Sequence, residues 1–127
     1  MATILIIGED PDSLSPDDHP PGVTAEGIRT SLTSARDALR ARGHEVDILW
    51  TTTVDEIASE LASAVRGRDP GVLVIGAGLR VLPPMALHFE RLMNAIREHA
   101  PRARLAFNSR PDDTAEAAER QLTERAA

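Results

Sequence analysis

The chain has 127 residues, enough for one domain with a core of its own, and sets 20 acidic against 14 basic residues for a net charge of −6. It contains no Cys, no Tyr and no Lys, so all 14 basic residues are Arg. These absences exclude thiol nucleophiles, disulfides, thiolate metal sites, Schiff-base chemistry, the phosphate-loop lysine and a phenolic acid or base. Two Phe, one Trp and a negative balance argue against nucleic acid as a partner.

The opening residues lack a positively charged leader, and no stretch approaches the ~20 apolar residues of a spanning helix, so a cytoplasmic protein with no membrane partner is expected. Thr3 to Gly8 is a β-branched run ending in glycine, the pattern of a buried strand. A long polar, proline-rich loop follows from Glu9 to Val23. Thr24 then caps a helix with Ile28, Leu32, Ala35 and Leu39 on one face, closing at Gly43. His44 to Thr51 alternates as an edge strand. Thr53 and Glu56 have capping-box spacing before a helix bearing Ile57, Leu61, Ala64 and Val65.

Gly71 to Gly76 is apolar on both faces and reads as a central parallel strand. Pro83 and Pro84 start a third helix with an inner stripe of Met85, Phe89, Leu92, Met93 and Ile96, closed by Pro101. Ala103 to Phe107 is a weaker fourth strand, and Asp113 with Glu116 resembles a second capping box, opening a last helix to about Arg125. Strands alternating with helices predict one three-layer α/β/α domain over residues 1–127, with a four-stranded parallel sheet of order 2-1-3-4, flavodoxin-like or Rossmann-like.

Ligands of such sheets bind outside the carboxyl ends of the strands, where strand order reverses. Three loops converge there. The first carries Glu9, Asp10, Asp12, Asp17, Asp18 and His19 between prolines, and is far longer than the roughly 2–6 residues usual for such a connection. Asp10 or Asp12 is the candidate base or hard-metal ligand and His19 a candidate acid or second ligand; a solvated acidic loop is the structural alternative. The second, Gly76-Ala-Gly78-Leu-Arg80, allows close backbone approach at Gly76 and Gly78, with the Arg80 fork for an anion. The third offers Asn108, Ser109 and Arg110. With Gly8 and Glu9, these complete the expected ligand-binding set. His44, His88 and His99 read as structural.

Asp17-Asp-His19-Pro-Pro-Gly22 matches the D-x-H-x-x-G string of cobalamin-binding domains, but it stands away from the first strand and lacks the family's later glycine pair. Glu9-Asp10 is similar to the acidic pocket of response-regulator receivers, yet Gly76 stands where their phospho-accepting Asp would be. No cofactor is expected. The Gly8-x-Asp10-Pro-Asp12 opening, Pro20-Pro-Gly22, Ile75-Gly-Ala-Gly-Leu-Arg80 and Phe107-Asn-Ser-Arg-Pro-Asp-Asp-Thr114 together resemble a group of small, uncharacterised bacterial α/β proteins. That resemblance implies the fold and these distinctive residues rather than an activity. The topology and long first loop are more remotely similar to type II dehydroquinase, whose Tyr base has no counterpart here.

Three functional expectations follow. The first is a crevice for a polar or anionic small molecule, extending to a cofactor-free lyase or isomerase using carboxylate acid/base chemistry. The second is a non-catalytic sensor or interaction protein acting as a homo-oligomer, and the third is divalent-metal binding by the acidic first loop.

Overall fold

Four short apolar runs form the sheet of the computed structural model, which describes residues 2–13 and 22–126: β1 (Thr3–Glu9), β2 (Glu45–Thr51), β3 (Val72–Ile75) and β4 (Arg104–Phe107). All pairings are parallel and the spatial order is β2-β1-β3-β4. This is the expected α/β arrangement. The helices α1 (Ala25–Ala41), α2 (Ile57–Val65), α3 (Ala86–His99) and α4 (Thr114–Ala126) supply the crossovers and an outer layer on each side.

The period-2 geometry of the strands divides the core in two. Leu5, Ile7, Leu73 and Ile75 point to the face covered by α2 and α3, where Leu61, Leu92 and Ile96 meet them. Ile4, Ile6, Val72, Val74 and Ala106 point to the other, against Leu32 and Leu39 of α1 and Ala117 and Ala118 of α4. Both central strands are buried on both faces, as their continuous apolar sequence requires.

Four local features differ from the sequence reading. Glu9 is not the first residue of a loop: it ends β1, paired in register with Thr51, and only then does a short 3-10 turn begin at Pro11. The Thr53–Glu56 capping box does not form; residues 54–56 make a turn, and the Thr52 hydroxyl donates instead to Glu56 and Glu60. Pro83 and Pro84 lie in a 3-10 turn and α3 starts at Ala86, since two residues lacking N–H groups suit a tight turn ahead of the helix. Asp113 reaches backward to the N–H groups of Ser109 and Arg110, capping the turn before α4. The Thr24 cap forms as expected, its hydroxyl accepting from the Gly27 N–H at 3.0 Å.

Candidate functional site

A crevice opens where β1, β3 and β4 end, at the reversal of strand order. Two contiguous cavities occupy it. The outer one, about 190 Å³, lies between Val23 and Ile28 on one side, Ala77, Gly78, Val81 and Leu82 on another, and Ser109, Arg110 and Pro111 on the third. The inner one, about 40 Å³, reaches Gly8, Gly76 and Asn108. Glu9, Ile28, Ala77, Gly78 and Pro111 belong to both. A groove of about 270 Å³ continues from the rim along Gly22, Thr24, Gly27 and Ser31 at the start of α1.

The inner end is polar and enclosed. The Glu9 side chain and Asn108 are almost fully enclosed, at 5% and 3% exposure. The orientation of the Asn108 amide follows from its neighbours. The Thr114 hydroxyl spends its one proton on the Pro111 carbonyl at 2.6 Å, so toward Asn108 it can only accept, and Nδ2 donates to it at 2.9 Å. Oδ1 is thereby turned away from Thr114, and it has no hydrogen-bond partner among the described residues. A buried acceptor in that state normally costs about 1–3 kcal/mol, so its presence at a cavity wall marks a position that a donor can fill.

Glycine keeps this end accessible. A Cβ on Gly78 would stand 3.0 Å from Glu9 Oε1, and one on Gly76 would stand 3.1 Å from the Ile7 carbonyl oxygen. Both glycines thus serve close packing around the carboxyl group, and neither has a positive φ.

The other expected site residues are placed differently. Asp10 and Asp12 lie on the rim beside Arg29 of α1, which pairs with Asp12 and stands 3.9 Å from Asp10. Asp10 Oδ1 accepts the Asp12 N–H at 3.0 Å, and neither carboxylate lines the two cavities. His19, with Asp17 and Asp18, lies outside the described residues. Among the described residues no group of three His, Asp or Glu stands together in a way that could hold a metal ion.

Arg80 does not face the crevice. Its guanidinium donates to the Asn108 carbonyl and stacks 4.7 Å over the Phe107 ring, and burial lowers its pKa although Asp113 opposes that effect. Arg110 stands at the mouth, engaged with Asp112 at 2.6 Å. Ser109 is tied through its hydroxyl to Asp113, whose pKa is lowered: burial alone would raise it, but the Ser109 hydroxyl, the N–H groups of Ser109 and Arg110 and the charge of Arg110 outweigh that.

The loops named in the sequence therefore do converge, but their acids and bases divide: Glu9 and Asn108 inside, Asp10, Asp12 and Arg110 on the rim, Arg80 behind the wall. Sequence reasoning missed Thr114, which sets the Asn108 amide, and the apolar walls Val23, Ile28, Val81 and Leu82. The signal for Thr114 was its place at the first turn of α4, within reach of the residue that follows β4.

Neither a family model nor a curated protein matches the chain. Among solved structures, a fragment of a candidate lipoprotein from Peptoclostridium difficile 630 is similar with a TM-score of 0.56 at 9% identity, covering 98% of each chain. A family 3 carbohydrate esterase from Clostridium thermocellum is similar with a TM-score of 0.46 at 14% identity, over 98% of this chain and 72% of that one. At these identities the first likeness concerns the fold alone. Among the described residues no helix is long and apolar enough to cross a membrane.

Proposed function

We propose that the crevice is the binding site of a small polar molecule. The observation that carries this reading is the Asn108 amide: an almost fully enclosed side chain, fixed by Thr114, whose oxygen faces a cavity wall without a partner among the described residues. The combined cavities fall below the roughly 300–1,000 Å³ of drug-sized sites, so the ligand is compact. An anion has less support, because Arg80 is engaged behind the wall and Arg110 pairs with Asp112 at the mouth. For a ligand with an acidic C–H bond, Glu9 is the carboxyl group placed to take the proton, which keeps a cofactor-free lyase or isomerase within this proposal. Amide-resolved NMR titration with imidazole, acetamide, benzamide, propane-1,2-diol and benzoate tests it. At least one probe is expected to shift Gly78 and Asn108 together while leaving Arg66 and Arg68, on the far edge, unmoved. If no probe moves Gly78 and Asn108, the reading is lost.

A second reading, a non-catalytic protein acting as an oligomer, has one observation in its favour. Val81, Leu87, Leu105 and Phe107 are exposed at 59%, 49%, 36% and 43%, the last two on the edge strand β4. Light scattering across a concentration series distinguishes it: a monomer at all concentrations removes this reading.

A further inference from the structure

Resting on the crevice reading above, we propose that the ligand is a neutral molecule: a hydrogen-bond donor head, carboxamide or hydroxyl, on a small hydrocarbon body. The need for a donor follows from a relay of committed protons. The Pro111 carbonyl has no proton to give and accepts that of the Thr114 hydroxyl at 2.6 Å. Thr114 therefore accepts from Asn108 Nδ2 at 2.9 Å, and Asn108 Oδ1 is left as an acceptor with no partner among the described residues. Arg80 holds the same residue from behind by donating to its carbonyl. Only a donor completes this relay; a ketone, ester, ether or carboxylate head would set lone pairs against lone pairs. The inner cavity, about 40 Å³, has room for a head on the order of one or two waters in size.

A net charge on the ligand finds no counter-charge held ready for it. Glu9 has an interaction of its own, and the wall it belongs to also carries Arg110, so a cationic head would face a like charge. Arg110 is engaged with Asp112 and the Ser109 hydroxyl with Asp113, so an anionic head would find its cation and its hydroxyl both committed. Taking an uncompensated ion out of water costs far more than taking out a neutral amide or hydroxyl that makes one good hydrogen bond. Beyond the polar end, Val23, Ile28, Val81, Leu82 and Pro111 line the outer cavity of about 190 Å³ and suit a hydrocarbon body.

Compounds of nearly one shape separate the possibilities. Acetophenone and acetone repeat the outlines of benzamide and acetamide with a methyl group in place of the amino group. Benzamidine and benzoate repeat benzamide with a positive and a negative charge at about pH 7. Titrations followed at the Gly78 and Asn108 amides are expected to show each amide binding about tenfold tighter than its methyl ketone, which leaves a buried acceptor unpaired. Benzamide is expected to bind tighter than benzamidine and benzoate. Thr114→Val, which releases the Asn108 amide to turn, is expected to close the gap between benzamide and acetophenone, whereas Thr114→Ser, which keeps the hydroxyl, retains it. Three results would each overturn the neutral-donor proposal and leave the crevice reading standing: amide and ketone binding equally to the parent; benzamidine or benzoate binding as tightly as benzamide; a gap that Thr114→Val keeps or Thr114→Ser loses. The first two are read on the parent alone, so they decide even where Thr114→Val does not fold. Failure of benzamide, acetamide and propane-1,2-diol where imidazole or benzoate shifts both amides has the same force. Failure of every probe overturns both readings.

Discussion

Single side chains in this protein are committed by their hydrogen bonds more than by their charge. Thr114→Val keeps the shape of a residue with no exposure but strands Asn108 Nδ2, so a loss of about 1–3 kcal/mol is expected in urea denaturation. The same change frees the amide to rotate, and the Asn108 shifts on probe binding are expected to weaken with it. His88 is buried on α3, and burial lowers its pKa from 6.5, favouring the neutral form in the folded state. The unfolded chain then binds more protons than the folded one once the pH drops below 6.5. Its contribution is complete above that value and lost as pH falls toward the lowered folded pKa. Melting midpoints at about pH 7.5 and about pH 5.5 should differ less in His88→Asn than in the parent; equal differences would show that His88 does not carry this dependence. What the sequence could not reveal at this scale was direction. Asp10, Asp12, Arg80 and Arg110 have the right chemistry and sit on the right loops, yet contacts with Arg29, Phe107 and Asp112 turn them from the crevice. Such contacts are made across the fold, so no local spacing encodes them.

Whole elements were far more legible, because each announces itself through a period. The apolar runs of β1 and β3, the stripe Leu32–Ala35–Leu39 of α1 and the cap at Thr24 are local facts, and the sheet order follows from right-handed crossovers. The misplaced boundaries share one cause: a sequence signal that is permissive for two structures. Thr53 and Glu56 have capping-box spacing, but Thr52 already offers its hydroxyl to the same glutamates from the end of β2, and the chain turns there instead. Pro83 and Pro84 fit a helix start and a 3-10 turn alike. Close packing between elements gives the clearest test at this scale. A Cβ on Gly8 would lie 2.9 Å from Leu32 Cδ1 and 3.5 Å from the Trp50 ring, wedging α1 away from β1. Gly8→Ala is therefore expected to cost about 1–3 kcal/mol in chemical denaturation. Gly78→Ala, whose nearest neighbour is the movable end of Glu9, should cost less; the reverse ranking would contradict the packing described for these loops.

At the scale of the molecule, the two edge strands are guarded by the same helical layer. In parallel strands alternate residues turn their backbone groups outward. Glu45 N–H bonds inward to Ala2 and Arg104 N–H inward to Gly71, so Val46, Ile48 and Trp50 of β2 and Leu105 and Phe107 of β4 present theirs to the outside. Arg40 of α1 donates to the Val46 carbonyl at 2.9 Å and to Asp47 at 3.2 Å, with Arg68 closing on Asp47 from the other side. Arg120 of α4 donates to the Phe107 carbonyl at 3.1 Å. Edges are commonly protected by lysine, which this chain lacks; arginine serves here with a fork that fills a backbone acceptor as well as adding charge. Arg40→Ala should unlock the β2 edge, and light scattering should then find larger species than in the parent at the same concentration. An unchanged size would mean that the clip is dispensable. The two guards are unequal: β2 has the Val46 carbonyl and the Asp47 side chain both clamped, with Ile48 and Trp50 unclamped beyond them, whereas β4 has a single arginine on the Phe107 carbonyl and an outward Leu105. A sheet guarded more heavily on one side than on the other favours pairing over continued growth. Two copies meeting along β4 would each leave the better-guarded β2 edge to the solvent, the arrangement of a closed pair.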